Sequence, residues 1–145
     1  MSKKGVSILT LKDLITRVRQ YTRDTTGSLF TQDDIIAFIN EGIDRTKRYK
    51  YFVDMEHLVS LSDEPKYLPK QYHHLLAVYA SSRCFTQDEQ TYLAEQFMNE
   101  YEFKTQEIDL LVSEGELDIE GFDGENSNKP FDAVKNVYFI EEKRG

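Results

Sequence analysis

Apolar residues recur at steps of three and four in four stretches of the chain, and each stretch predicts a helix with one buried stripe. In the first, about residues 11–23, the stripe is Leu11, Leu14, Ile15 and Val18, extended by Tyr21 or Thr22. Thr10 stands where a hydroxyl can cap the first amides, and Asp13 stands where the acid of a capping box belongs. The turn-forming run Asp24-Thr25-Thr26-Gly27-Ser28 ends it. The second, about 32–50, has Thr31 as cap, Asp33 and Asp34 in the first turn, and Ile35, Ile36, Ile39 and Ile43 as its stripe, widened by Phe38. Arg45, Lys47, Arg48 and Lys50 fall at its end, where cations complement the helix dipole. The third, about 70–85 after Pro69, sets Tyr72, Leu75, Leu76, Tyr79 and Ala80 on one face. Thr86 and Glu89 have capping-box spacing for a fourth, about 87–113, striped by Leu93, Phe97, Tyr101, Ile108, Leu111 and Val112. At 1.5 Å per residue this last helix would run roughly 40 Å, longer than a domain of this size needs.

Between the second and third helices the period changes. His57-Leu58-Val59-Ser60-Leu61 and Tyr67-Leu68 flank Ser62-Asp63-Glu64-Pro65-Lys66, which predicts a short β-hairpin over about 57–68. Beyond Gly115 the stretch Glu116–Asp132 is acidic and broken by Gly121, Gly124 and Pro130, the composition of a linker. A β-prone apolar patch, Asn136-Val137-Tyr138-Phe139-Ile140-Glu141, follows. The expected fold class is therefore mainly α: a four-helix bundle-like core, a short β-hairpin between helices 2 and 3, and an extended C-terminal tail ending in a short strand. Residues 1–114 form the helical domain, and 115–145 an acidic linker with a C-terminal docking segment.

The 145 residues suffice for one domain whose core needs neither disulfide nor metal. The single Cys84 excludes an internal disulfide and a cysteine zinc site. No apolar run approaches the roughly 18 residues of a membrane span, and Met1-Ser2-Lys3-Lys4 leads into no signal-peptide core, so the expectation is a soluble protein made in a reducing compartment. The net charge of −8 hides a gradient. Residues 1–50 carry ten Lys/Arg against six Asp/Glu, and residues 84–145 carry five against sixteen. A basic front and an acidic rear suit contacts between copies of the chain, although an acidic helix and tail facing water would show the same gradient.

Candidate chemistry is sparse. The chain has no phosphate-binding glycine loop, no nucleophile elbow and no zinc-protease motif. The acidic run at Asp123 lacks the Gly and the terminal acid of a calcium loop, with Asn128 and Val134 at those positions. His73 and His74 project about 100° apart on a helix and do not share a metal. Cys84 beside Phe85 reads as a small buried hydrophobe. No catalytic residue, metal or cofactor is expected. The alternative reading is a small cytoplasmic helix-turn-helix DNA-binding regulator built on the first two helices. Its recognition helix would open with Gln32-Asp33-Asp34, where two acids repel phosphates.

The order of elements resembles the head-to-tail adaptor (head-completion) proteins of tailed bacteriophages. The resemblance is carried by Thr10-Leu11-Lys12-Asp13-Leu14-Ile15 with Val18 and Arg19, by Phe30-Thr31-Gln32-Asp33-Asp34-Ile35-Ile36-Ala37-Phe38-Ile39-Asn40-Glu41-Gly42, by Tyr67-Leu68-Pro69-Lys70-Gln71-Tyr72 and by Leu75-Leu76-Ala77-Val78-Tyr79-Ala80, about residues 10–113 together. It implies a structural virion protein, not an enzyme, assembled in the host cytoplasm and located in the neck between capsid and tail. Such a protein forms a ring, typically of twelve copies, that binds the portal protein, extends the channel through which genomic DNA passes, and receives the tail or a stopper protein. The docking segment for the portal is then expected at Val137, Tyr138, Phe139 and Ile140. Contacts with neighbouring subunits or the tail are expected at Tyr49, Tyr51 and Phe52 and at the hairpin tip, Asp63, Glu64 and Pro65.

Overall fold

The computed structural model describes residues 8–119, and these form a mainly helical, bundle-like unit. Its helices are α1 (Leu11–Thr22), α2 (Gln32–Thr46), α3 (His74–Gln87) and α4 (Thr91–Ser113). Short 3-10 turns at Lys50–Phe52 and Lys70–Tyr72 precede the loop and α3 respectively. Among the described residues no helix is long and apolar enough to cross a membrane.

The first two helices begin as their sequences dictate. Thr10 Oγ1 accepts from the Asp13 amide at 3.3 Å while the Thr10 amide donates to Asp13 Oδ2 at 3.0 Å, a complete capping box. Thr31 Oγ1 accepts from the Asp34 amide at 3.0 Å. Between α1 and α2 the buried Asp24 carboxylate accepts the amides of Ser28, Leu29 and Phe30 and the Arg19 guanidinium, all within 3.1 Å. Burial alone would raise its pKa, but those four donors together hold it below the usual value. α2 stops at Thr46 rather than at 50, because the chain turns there to drive Tyr51 and Phe52 into the core.

α3 occupies the centre. Ten of its fourteen residues are buried, on every side of the helix, and α1, α2 and α4 all pack against it. Gly42 of α2 is buried at the crossing with α3, where a Cβ would lie 3.0 Å from Tyr79 Cδ1. Tyr79 in turn meets Tyr101 of α4 edge-on, with ring centroids 5.2 Å apart. Tyr101 is fully buried, and its hydroxyl lies 2.8 Å from Thr46 Oγ1. Thr46 spends its only proton on the Gly42 carbonyl at 2.8 Å, so Tyr101 is the donor of that pair.

Two expectations are corrected. The segment 57–68 contains no strand, and no strand occurs among the described residues. Its backbone groups are spent elsewhere: Asn40 of α2 brackets Leu58, donating to its carbonyl at 3.0 Å and accepting its amide at 2.8 Å. The Leu61 and Asp63 carbonyls accept the amides of Lys12 and Leu11 at 3.0 and 2.8 Å, completing the cap on α1. Thr86 and Glu89 do not start the fourth helix. Thr86 lies inside α3, bonded to the Ser82 carbonyl, and Glu89 takes a left-handed φ of 61°. The Gln90 amide reaches back to the Phe85 carbonyl and the Glu89 amide to that of Thr86, a Schellman termination of α3. The expected C-terminal strand lies outside the described residues. Leu117 and Ile119 still pack on the core, so the folded unit extends past Gly115.

Two substitutions probe this packing. Gly42→Ala should destabilise by about 1 kcal/mol in denaturant unfolding, because crowding of a pinned Tyr79 outweighs the gain in helix propensity; unchanged or higher stability would contradict the close approach. Ser81, buried in α3, has a hydroxyl with no hydrogen-bond partner. Ser81→Ala should leave stability unchanged or raise it by about 1 kcal/mol, and a loss of that size would show the hydroxyl to be satisfied.

Candidate interaction surface

The loop from Met55 to Lys70 is anchored at both ends by buried side chains, Met55 and Leu58 at one end and Leu68 at the other. Between them Asp63 acts as a local staple: its Oδ2 accepts the amides of Val59 and Ser60 at 2.8 and 2.7 Å, which hold the carboxyl below its ordinary pKa. These bonds hold the loop outward in one shape while leaving Val59 81% and Leu61 45% exposed. Tyr67 takes a left-handed φ of 75°, a conformation that costs a non-glycine residue roughly 1 kcal/mol or more. Two small clefts, each of about 190 Å³, flank Lys66 and Tyr67. Asp63 and Glu64 line one; Glu64, Pro65, His73 and Asp118 line the other.

His73 secures this surface from beneath. Its ring is buried, with Nε2 2.8 Å from the Leu68 carbonyl and Nδ1 accepting the Leu9 amide at 3.2 Å. That arrangement requires the neutral ring protonated on Nε2, and burial lowers the pKa accordingly.

The second group expected at an interface is placed differently. Tyr49 and Tyr51 stack at 5.9 Å, Tyr51 meets Phe52 edge-on at 4.8 Å, and Arg48 lies over the Tyr49 ring at 5.0 Å. Tyr51 and Phe52 are 7% and 1% exposed, so both rings serve the core of their own chain and only Tyr49 keeps a partly open face. Burial and a 2.5 Å bond from its hydroxyl to Asp109 push the Tyr51 pKa up. Arg45 and Arg48 at the end of α2 both reach Glu102 of α4, Arg45 Nε at 2.7 Å and Arg48 Nη2 at 2.6 Å. Part of the basic front is thus matched to the acidic rear within the chain itself. The segment expected to dock on a partner, Val137–Ile140, lies outside the described residues.

Among the described residues no group of three His, Cys, Asp or Glu side chains is placed to hold a metal ion. Cys84 is fully buried, and burial foremost, with the charges of Asp24 and Asp34, pushes its thiol up to about 12, far from a reactive thiolate. Asn40, His73 and Tyr67, to which the sequence assigned no role at this surface, act through backbone hydrogen bonds and a backbone angle. The one visible signal was Asn40, an amide lying along the apolar side of α2. No family model, curated protein or solved structure matches the chain.

His73 makes the pinned loop pH-dependent. An unfolded histidine titrates near 6.5, and the folded value lies lower, so the stabilisation is complete above about pH 6.5 and lost as pH falls from there towards the folded pKa. Melting temperature should fall between about pH 7.5 and 5.5, and His73→Gln should be less stable at the upper pH with a shallower decline. An equal decline in the variant would assign the dependence to other groups.

Proposed function

We propose that this chain is a structural protein, without catalytic activity, that works by presenting surfaces to other copies of itself and to partner proteins. Its specific role is that of a ring-forming head-to-tail adaptor of a tailed bacteriophage. The observation that carries the reading is the kind of surface the fold presents. Val59 and Leu61 stand exposed on a loop whose backbone is pinned by Asn40, Asp63 and the first turn of α1. An exposed apolar patch on a fixed scaffold is suited to protein contact. The two clefts beside it, at about 190 Å³, are smaller than the ~300–1,000 Å³ typical of small-molecule sites.

In this reading the subunits associate head to tail, since a ring of identical copies needs two different, complementary patches. A predominantly acidic subunit lets DNA pass through the channel without being captured, because phosphates find few cations to hold them. The loop carrying Asp63, Glu64 and Pro65 faces the next ring or the tail, and Val137, Tyr138, Phe139 and Ile140 dock on the portal protein by adding a strand or filling a groove. The assembly sits in the virion neck.

The test is a mass determination of the protein alone and with a candidate portal ring or capsid. A discrete assembly near twelve copies in either condition is the expected result. A monomer or dimer that ignores capsids but retards random DNA in a salt-dependent manner would overturn the reading in favour of a DNA-binding regulator. Deleting residues 133–145 should leave a folded helical domain that no longer binds capsids. If the truncated protein unfolds, the segment belongs to the core.

A further inference from the structure

The outward side of α4 carries a pattern that packing among the described residues does not use. Tyr92, Gln96, Asn99, Phe103, Gln106 and Leu110 follow one another at steps of four, three, four, three and four, the spacing of the two seam positions in a coiled coil. All six are exposed, with Tyr92 at 72%, Phe103 at 66% and Leu110 at 56%. They lie opposite Ala94, Tyr101, Thr105 and Ile108, which face the core. In a chain that is 30% charged, this stripe is uncharged along roughly 27 Å of helix.

Its flanks are the reverse. Glu95, Glu102 and Asp109 run along one side at intervals of seven, and Glu100, Glu107 and Glu114 along the other, the positions that choose a coiled-coil partner by charge. Arg45 and Arg48 are bound to Glu102, and Lys104 lies 3.7 Å from Glu107. Asp109 and Glu107 accept tyrosine hydroxyls, from Tyr51 and Tyr72, which leave their charges in place. Six carboxylates against three cations leave the rim acidic.

We infer that this face of α4 is a docking seam for a basic amphipathic helix of a partner protein, with apolar residues at its seam and Lys or Arg at its flanks. A second α4 is a poor occupant, because parallel and antiparallel pairings alike set carboxylate rails against one another. The amides at Gln96, Asn99 and Gln106 weaken the seam but fix its register, since a mispaired amide is left without a partner. The inference stands independently of ring formation: a ring can assemble with the seam open, and a monomer can carry the seam.

The experiment titrates the full-length chain into two labelled synthetic peptides of four heptads, both with Leu at the seam positions, one with Lys and one with Glu at the flanks. The Lys-flanked peptide should bind saturably, at least ten-fold tighter than the Glu-flanked one, and weaken as salt rises. Phe103→Asp with Leu110→Asp should abolish binding with the melting temperature unchanged, both side chains being more than half exposed. Glu95→Lys with Glu114→Lys should weaken the Lys-flanked peptide several-fold without touching the seam. Equal binding of both peptides, or no binding of either, would overturn the proposal. So would Lys-peptide binding that survives the Phe103/Leu110 change, which would be adsorption to an acidic surface. Self-association abolished by that same change would assign the seam to a second copy instead.

Discussion

α3 has no face to give to water, and that condition governs the arrangement of everything else. A helix buried all round must be covered on each side, and α1, α2 and α4 are the covers. The covers are seated differently. α2 approaches closely because Gly42 removes a side chain where Tyr79 needs room, and α4 is fixed by Tyr101, wedged between Tyr79 and Thr46. The absence of charge along α3, interrupted by Arg83 alone, is what permits this burial.

A core of this kind tolerates polar groups only where each finds its partner, and here nearly all do. Asp24 is surrounded by amides and a guanidinium, Thr46 and Tyr101 satisfy one another and the α2 backbone, and His73 uses both ring nitrogens. The same economy shapes the loop after α2. Its carbonyls are committed to the first turn of α1 and its amides to Asn40 and Asp63, which leaves no ladder for a hairpin to form.

The local signals were readable in the sequence and the tertiary ones were not. Thr10 with Asp13, and Thr31, announced helix starts because a cap acts within one turn. Thr86 and Glu89 carry the same spacing but end a helix, since a left-handed Glu89 bonded back to Thr86, followed by Gln90 bonded back to Phe85, is as good a use of that geometry. The stripe of Tyr72, Leu75, Leu76, Tyr79 and Ala80 identified one buried face of α3, while Ala77, Val78, Ser81 and Ser82 showed only in the fold that the other faces are buried too. Tyr51 and Phe52 illustrate the limit at the site. An aromatic pair beside basic residues fits an interface or a core edge equally well, and the choice depends on whether α4 lies over it.

The cap on α1 has a consequence for how the molecule comes together. Two of the amides at its start are answered by Leu61 and Asp63, which lie on the far side of α2 in the chain. α1 therefore cannot complete its own opening turn until the chain beyond α2 has been made. It waits for a loop that is held in shape by Asn40 of the second helix, so the first turn of α1 is among the last parts to close.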